Sequence, residues 1–510
     1  MKSFTNDKWF KIICLGTAVI GMVKMVLYIK DGFIADELFT IYVTDPSQPM
    51  LYLLKKYWIL DTSPPLHYFF VYLWNHLTPH ITEISARIPS AAAGFAVVAV
   101  SFFCFPKYMP KYTRYIFTAI ISCSSYAMVF ACESRPYIFL LFLSVGIMFI
   151  MFELINKMES GVELKRKHFI WYFAVTLLLT YIHYWGSLLG GAVFLVLAFY
   201  SFKNKKYLKQ FAIAYGVVLV LFLPWMIPSV YYNAMLERLS GNWWVSDDSL
   251  KSFLPGLLGS MFPRGIKVAA VGFGAALLIA EHFFSQKSVL KKYRREIYLS
   301  IFIIAFIFAG TAMAALKILL FVPRYFIVTA PFVLFIVSLA LGATMENTKW
   351  IVIPVLLLFA FYIGNINSAN KTMSEREAML YVVEHNIPVL RTAVMEIFPL
   401  AAMEKIYAFY PNKYYGKNIE FINVYTHPDT PIGDTDLIWM PMCAPSKINF
   451  LENRLKMNLK KVKTVNSACF LEKDLDNPVF EPHEIKSKID TVYSNNRKEH
   501  NPLGKLKLEE

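Results

Sequence analysis

The stretch FKIICLGTAVIGMVKMVLYIKDGFIADELFTIY, residues 10–42, joins a long apolar run directly to a segment that carries three acids. The apolar run is long enough to cross a bilayer and has no small-residue cleavage site of the A-x-A kind, so we expect an uncleaved first transmembrane helix over about residues 9–29. Asp31, Asp36 and Glu37 then lie at the edge of the membrane. They are either ordinary solvated loop acids or catalytic carboxylates at the membrane face.

The composition of the whole chain indicates a membrane protein. The chain has 510 residues, of which 56% are hydrophobic and 17% are charged, and its mean hydropathy is +0.45. Soluble domains usually contain about 25% charged residues. The net charge of +15 does not indicate nucleic-acid binding, because the basic residues are concentrated between apolar segments, as in cytoplasmic loops that face anionic lipid. We therefore predict a mainly α-helical, polytopic membrane protein that contacts membrane lipids and no nucleic acid.

Hydrophobic runs predict about eleven transmembrane helices. The first is followed by a long outer loop, residues 30–85. Within this loop, PPLHYFFVYLWNHL (64–77) is apolar enough to span, but counting it would turn the later basic loops to the outside. Its Tyr, Phe and Trp content instead predicts a juxtamembrane helix along the outer membrane face. The predicted spans after the loop lie near residues 88–105, 115–131, 138–155, 169–182, 187–202, 210–227, 267–285, 297–316, 325–344 and 350–366.

Basic residues cluster in alternate loops, which sets the expected orientation. The clusters begin at Lys107, Lys165, Lys203 and Lys287. The positive-inside rule places these loops and the N-terminus in the cytoplasm. An odd number of spans then makes the C-terminal region extracytoplasmic. We expect a multi-pass protein of the cytoplasmic (inner) membrane with three regions: a transmembrane domain over 1–366, a small α/β extracytoplasmic domain over 367–483, and a polar, flexible tail over 484–510.

The C-terminal region mixes helical and strand patterns. FPLAAMEKIYAFYPNKYYG (398–416) predicts a helix, whereas IEFINVY (419–425) and DLIWMPM (436–442) predict strands. Cys443 and Cys469 lie here and can pair in an oxidising compartment. The other four cysteines lie in or beside apolar segments without metal-ligand spacing, so we expect them to be small buried hydrophobic side chains.

Ionisable and aromatic residues recur on the predicted outer side, at the ends of the spans. Placing an ionisable group in or near the hydrocarbon core costs free energy. Acidic and basic side chains together on one side of the membrane therefore indicate a binding or catalytic site. Arginine binds phosphate through its planar fork, and a carboxylate can take a proton from an attacking hydroxyl. The segments are ADE (35–37), DTSPPLHYFF (61–70), ARIPSAAAG (86–94), CESRPY (132–137), IHYWGS (182–187), WWVSDD (243–248) and VPRY (322–325).

In this order, the segments resemble those of GT-C fold glycosyltransferases that use a polyprenyl-phosphate-linked sugar. Examples are the protein O-mannosyltransferases, the aminoarabinose transferases of lipid A and transferases of the lipopolysaccharide core. The resemblance covers about residues 1–345 and not the tail. It implies a GT-C membrane domain that transfers a hexosyl or pentosyl group, with inversion, from the carrier to a lipid, glycan or protein acceptor on the outer face of the cytoplasmic membrane.

The resemblance also implies roles for individual residues. Asp36 occupies the position of the catalytic general base, with Glu37 beside it. Neighbouring side chains on a helix point about 100° apart, so we expect only one of the two to face the acceptor. A solvated acid remains the alternative for both. Asp31 matches no motif and is expected to be solvated.

Two arginines are the candidates for binding the donor phosphate. Arg135 and Arg324, the latter with Tyr325, match the positions that the resemblance assigns to this task. A structural ion pair between Glu133 and Arg135, and snorkelling of Arg324 to lipid headgroups, are the alternatives. The other candidates for lining or supporting the substrate site are Asp61, Arg87, Glu133, His183, Tyr184 and Trp244.

One departure bears on metal binding. Related sequences often read DTHPPL, but in this chain Ser63 stands in place of the histidine. We therefore predict no metal ligand, and whether a divalent cation takes part stays open.

Two other classes of protein remain as alternatives. A transporter or lipid flippase usually carries its ionisable groups near the bilayer midplane, on broken helices in paired halves. Here the charges stand at the outer helix ends, and the sequence shows no such halves. The third class is a receptor or assembly subunit whose C-terminal region binds a partner.

Overall fold

A computed structural model confirms the predominantly helical architecture. The structure describes residues 7–61, 63–240, 249–262, 289–315, 322–347, 355–356, 359–360, 363, 375–393, 406–424, 431–434, 436–440, 443, 445–465 and 468–480. Four predictions fall wholly or mainly outside these residues: the spans at 267–285 and 350–366, the loop with Trp244, and the tail from 484.

The membrane part of the chain is a bundle of long helices. In chain order, its helices are α1 (Asp7–Tyr28), α2 (Ala35–Val43), α3 (Met50–Lys56), α4 (Leu66–Leu77), α5 (Glu83–Phe103), α6 (Lys111–Ser122), α7 (Ser125–Phe130), α8 (Tyr137–Glu159), α9 (Arg166–Ile182), α10 (Tyr184–Lys203), α11 (Leu208–Ser240), α12 (Ser249–Met261), α13 (Val289–Lys292), α14 (Arg294–Ala315) and α15 (Ala330–Asn347), with 3-10 turns at Trp58–Leu60 and Pro323–Thr329.

Seven helical segments in the described part of the chain are long and apolar enough to cross a membrane. They coincide with predicted spans, so the chain is an integral membrane protein. The described residues do not confirm the predicted count of eleven. The predicted span 115–131 is broken: α6 ends at Ser122 with Cys123 as its C-cap, and Ser124 caps α7 by accepting a hydrogen bond from the Ala127 N–H. The predicted span 169–182 is α9, which has 17 residues.

The bundle is built around α6 and α8, which are buried on nearly all sides. Helices without polar faces pack in a membrane through close contact between small residues. At Gly21 of α1, a Cβ atom would lie 2.6 Å from the Ser122 carbonyl oxygen of α6, so only glycine allows this approach. This packing holds the first helix, and the loop that follows it, against the centre of the bundle.

The outer loop forms short helices that do not span. The predicted juxtamembrane helix is α4, whose 12 residues measure about 18 Å, shorter than a hydrocarbon core of about 30 Å. It exposes Phe70, Leu73 and Leu77 on one face and buries His67 and Tyr68 on another. An amphipathic helix of this kind is suited to lie along a membrane surface.

The two ends of the bundle differ in chemistry. At one end, the start of α8 adjoins Arg135 and the acids of α2. At the other end, Arg295 pairs with Glu159, and Arg114 lies over the Phe102 ring. The acids singled out in α2 therefore lie across the bundle from the basic loops, as the predicted topology requires.

The C-terminal region is the small α/β unit expected from the sequence. It contains α16 (Glu375–Glu384), β1 (Val389–Thr392), a π-helical turn (Phe409–Tyr414), β2 (Glu420–Asn423), β3 (Ile438–Met440), α17 (Pro445–Leu455), β4 (Leu459–Val465) and β5 (Ala468–Lys473). The five strands have the order β2-β1-β3-β5-β4. β1 is parallel to β2 and β3, and β5 is antiparallel to β3 and β4. A disulfide joins Cys443, which follows β3 in the chain, to Cys469 of β5.

The first turn of α16 contains a buried acid that should make stability depend on pH. Burial, with a smaller effect of Glu377, raises the pKa of Glu375 from 4.5 to about 8. The folded state therefore keeps a proton that the unfolded state loses, and stability falls as pH rises from about 4.5 through about 8.

We expect Glu375→Gln to remove this dependence. Between pH 6 and pH 9, thermal unfolding in detergent should show a wild-type loss of about 2–3 kcal/mol that the variant lacks. Glu384→Gln, an exposed acid at the end of the same helix, is the control and should behave as wild type. Equal pH dependence of wild type and Glu375→Gln would mean that this carboxyl titrates normally.

Candidate active site

The site is organised by the first turn of α2. Ile34 is the N-cap, and the Glu37 carboxylate accepts a hydrogen bond from the Ile34 N–H at 3.2 Å. Acids are favourable in a first turn because the free N–H groups and the helix dipole attract negative charge. Asp36 and Glu37 project in different directions from this turn, so the two adjacent acids have different surroundings.

Glu37 is fully buried and paired with Arg87 of α5. The Arg87 guanidinium donates from Nε to Oε1 and from Nη2 to Oε2, each at 2.7 Å, and both side chains are inaccessible to solvent. The Ser134 N–H donates to the same carboxylate at 2.9 Å. Arg87 also donates to the carbonyl oxygens of Ile29, Asp31 and Gly32. This network ties three distant segments together at the start of α2.

Asp36 has an accessible carboxylate held between two arginines. Arg324 donates from Nη1 to Oδ2 at 2.9 Å, and Arg135 Nη2 lies 4.0 Å from the same oxygen. The side chain of Asp36 is 40% exposed, whereas that of Arg135 is 9% exposed. Arg135 also donates to the Thr40 hydroxyl of α2 at 3.3 Å. The structure thus brings Asp36, Arg135 and Arg324 into one recess, although they are separated by up to 288 residues.

The two guanidinium groups determine the charge of Asp36. Partial removal from water acts to raise its pKa, but the positive charges of Arg135 and Arg324 and the hydrogen bond from Arg324 outweigh this effect. The pKa of Asp36 therefore lies below its usual range, and the carboxylate is ionised at neutral pH.

Both arginines keep hydrogen-bonding capacity beyond Asp36. Within the described part of the chain, Arg135 Nε and Arg324 Nε are buried without a hydrogen-bond partner. The Arg324 guanidinium also lies 5.7 Å from the Tyr137 ring centroid and 5.6 Å from that of Tyr325. Aromatic faces support a guanidinium without using its donors. Two guanidinium groups beside one carboxylate also leave the recess with an excess of positive charge, which favours the approach of an anion.

A second group of polar residues adjoins this recess. Asp61 is buried and accepts a hydrogen bond from the Tyr68 hydroxyl at 2.6 Å. Next to Tyr68, His67 is buried against Phe139, and among the described residues neither of its ring nitrogens has a hydrogen-bond partner. Burial, with a smaller effect of Arg135, lowers the pKa of His67 to about 3, so its ring is neutral.

Sequence reasoning did not single out His67. His67 lies in the DTSPPLHYFF segment, two residues after its second proline, so the segment itself was a signal for this residue. Asp61 is the residue of that segment predicted to support the site, and Ser63, which stands in place of the histidine of related sequences, is buried in the structure.

The remaining candidates lie around the recess or outside the described residues. Glu133 is buried in the turn before α8, where its carbonyl oxygen accepts from the Arg135 N–H at 2.8 Å. His183 caps α10 by accepting from the Trp185 N–H and packs against Tyr325. Trp244 lies outside the described residues. Among those that are described, no group of three or more His, Cys, Asp or Glu side chains is placed to hold a metal ion.

Tyr184 is directed to a different neighbour. Its hydroxyl shares a hydrogen bond of 2.5 Å with the Ser229 hydroxyl of α11, and its ring packs on Phe222. Tyr184 therefore belongs to the contact between α10 and α11. Tyr325, beside Arg324, instead packs on Trp185, with the ring centroids 4.6 Å apart.

The fold of the chain is similar to that of a solved structure. ArnT from Cupriavidus metallidurans in the apo state matches with a TM-score of 0.52 and 12% identity, over 92% of this chain and 98% of that one. The chain has the GT-C fold. ArnT bound to undecaprenyl phosphate matches over the same shares with a TM-score of 0.49 and 12% identity. The archaeal oligosaccharyltransferase AglB from Archaeoglobus fulgidus matches with a TM-score of 0.42 and 11% identity, over 87% and 62% of the two chains.

No protein-family model and no curated protein sequence matches the chain. The GT-C fold is thus visible in the structure at an identity of 12%, where sequence comparison finds no relative. The fold predicted from the ordered segments is confirmed.

The Glu37–Arg87 pair generates a stability prediction. Glu37→Gln would leave the Arg87 charge buried without its counter-ion, which typically costs about 3–5 kcal/mol. The matched control is Asp45→Asn, which breaks an ion pair to Lys413 whose lysine is 62% exposed and should cost less than about 1 kcal/mol. Denaturation of both variants in detergent measures the difference. Similar losses in the two variants would contradict a structural role for the buried pair.

Proposed function

We propose that the chain is a glycosyltransferase that transfers a sugar from a polyprenyl-phosphate carrier to an acceptor on the outer face of the cytoplasmic membrane. The observation that carries the proposal is the recess in which an accessible, ionised Asp36 lies between Arg135 and Arg324. In this proposal Asp36 is the base for the acceptor, and the two arginines beside it bind the donor phosphate. The GT-C fold that the chain shares with ArnT supports this assignment.

The reaction follows from these two elements. The guanidinium groups of Arg135 and Arg324 bind the carrier phosphate and orient the sugar over Asp36. The acceptor hydroxyl gives its proton to the Asp36 carboxylate while its oxygen forms a bond to the anomeric carbon. The bond from that carbon to the phosphate oxygen breaks, and its electron pair leaves with the phosphate, whose added negative charge the arginines stabilise. Attack opposite the leaving group inverts the anomeric centre.

In this proposal Asp36 and the donor phosphate interact with the same two arginines, so donor binding changes the pKa of Asp36. In the free protein both guanidinium groups lower the pKa of Asp36, which makes it a weak base. A bound phosphate competes for the same two cations and adds negative charge nearby. Both effects raise the basicity of Asp36 when a donor is present.

Glu37 takes the supporting role in this scheme. Its carboxylate is buried and engaged by Arg87 and by the Ser134 N–H, which leaves it unsuited to proton transfer with an acceptor. Since Ser134 precedes Arg135, the Glu37–Arg87 pair positions both the base and one arginine of the phosphate site.

We expect Asp36→Asn to reduce transfer by at least about 10²-fold, because the amide cannot accept the proton. The first measurement is mass spectrometry of envelope lipids and glycans with and without the chain, which should reveal one missing sugar and so identify donor and acceptor. Variants are then scored by the amount of that product.

Asp31→Asn is the matched control, since it removes an acid from the same loop and should retain activity within twofold. Normal product from a folded Asp36→Asn protein would show that Asp36 is not the base. Movement of a labelled lipid in proteoliposomes without any glycosidic product would favour a flippase instead.

The arginine pair predicts a pH effect. Arg324→Gln removes one positive neighbour of Asp36, so the pKa of that carboxyl rises and the acid limb of kcat/KM moves to higher pH. The KM for the donor should rise as well, by about tenfold or more. Arg114→Gln, at the opposite end of the bundle, should leave both quantities unchanged. If the acid limb of kcat/KM does not move in Arg324→Gln, Arg324 does not control the pKa of the base.

A further inference from the structure

The chain just before α2 is held by residues that lie more than 340 positions away. The Phe33 N–H donates a hydrogen bond of 2.6 Å to the Tyr410 hydroxyl, and the Phe33 carbonyl oxygen accepts one of 3.1 Å from the Glu375 N–H. Both polar main-chain groups of Phe33 are thus bonded by the C-terminal α/β unit. Phe33 precedes Asp36 by three residues.

The Phe33 side chain reinforces this contact. Its ring is fully buried and lies 5.6 Å from the ring of Phe409 and 6.1 Å from that of Tyr410. On its other side, the Arg87 guanidinium is 5.0 Å from the ring centroid. Phe33 is therefore enclosed between the C-terminal unit and the arginine that binds Glu37.

Tyr410 connects the same point to α5. Its hydroxyl, which accepts from Phe33, donates to Glu83 Oε1 at 3.2 Å. Arg376, next to Glu375 on α16, pairs with the same oxygen of Glu83 at 3.3 Å. Glu83 begins α5, and Arg87 follows one turn later on that helix. A closed set of contacts therefore runs from the C-terminal unit through Phe33 and through α5 to the first turn of α2.

An interface that served only to attach a domain would not need to bond the main chain beside the proposed base. Displacing a reacting group by about 1 Å can cost a factor of about 10² in rate. Arg87 holds the carbonyl oxygens of residues 29, 31 and 32, and Tyr410 holds the N–H of residue 33. Together they leave the start of α2 little freedom to move.

We propose that Tyr410 of the C-terminal unit is a positioning residue for the transfer reaction, holding the main chain at Phe33 so that Asp36 faces Arg135 and Arg324. This inference rests on the proposed function, because it concerns the geometry of the base. It gives the C-terminal unit a part in catalysis, although none of the contacts described here requires it to touch the sugar.

The test is Tyr410→Phe, which keeps the ring and removes only the hydroxyl. Its kcat should fall by about 10–100-fold, while the donor KM and the Kd for undecaprenyl phosphate without a sugar stay within twofold of wild type. A lower apparent kcat could also arise if less of the variant protein were folded. Thermal unfolding and a Kd titration, both normalised to total protein, measure the folded fraction and would detect this.

The matched control is Tyr414→Phe. Tyr414 lies in the same π-helical turn, and its ring packs on Tyr410 at 5.6 Å and on Tyr415 at 5.1 Å. Among the described residues, its side chain forms no hydrogen bond or ring contact with residues 29–37. This variant should retain wild-type kcat. Wild-type kcat in a folded Tyr410→Phe protein, or an equal loss in both variants, would overturn the inference.

Two further variants separate the possible failures. Asp36→Asn in the same assay tests the proposed function itself: if it is inactive while Tyr410→Phe is normal, the base assignment stands and only the positioning role falls. Should Tyr410→Phe not fold, Arg376→Gln carries the test, because that side chain is 36% exposed and its loss should be tolerated. It should lower kcat by about threefold with KM unchanged, and an unchanged kcat would overturn the inference.

Discussion

The buried ion pair between Glu37 and Arg87 is the constraint on which the site depends. Removing two charges from water is costly, and the cost is offset only when each charge is fully engaged. Here the carboxylate receives Arg87 and the Ser134 N–H, while Arg87 also reaches the carbonyl oxygens before α2. Such a pair tolerates few alternative arrangements, so α2, α5 and the turn before α8 must meet in one way.

The same pair explains how two neighbouring acids can have different roles. A helix turns by about 100° per residue, so when Glu37 points into the protein, Asp36 is directed elsewhere. Asp36 reaches the recess and remains 40% exposed. Glu37 is used to build the site and Asp36 is the proposed base, and helical geometry accounts for their different surroundings.

Much of this arrangement could be predicted from the sequence, for a physical reason. Alternating apolar spans and basic loops assign each polar segment to one side of a membrane, so Asp36, Arg135 and Arg324 were expected at the same end. The break in the predicted span 115–131, where Ser124 caps α7, was not predicted. The sequence could not predict which side of α2 faces the protein interior, because this depends on whether Asp36 or Glu37 pairs with Arg87. The contact from Tyr410 to Phe33 was also beyond reach, since no local pattern encodes a pairing across 377 residues.

The helix that carries the proposed base is held in place by two parts of the protein, the transmembrane bundle and the C-terminal unit. Asp36 stands in a short helix of nine residues within an outer loop, and a helix of that length is marginal unless packing holds it. The transmembrane bundle supplies Arg87, Arg135 and Arg324 from one side. The C-terminal unit supplies Tyr410 and the Glu375 N–H from the other. A mobile base between two arginines would pair with them in many geometries, and most of these would direct its free oxygen away from an acceptor. Holding the backbone on both sides restricts Asp36 to the observed geometry, in which its carboxylate lies between Arg135 and Arg324.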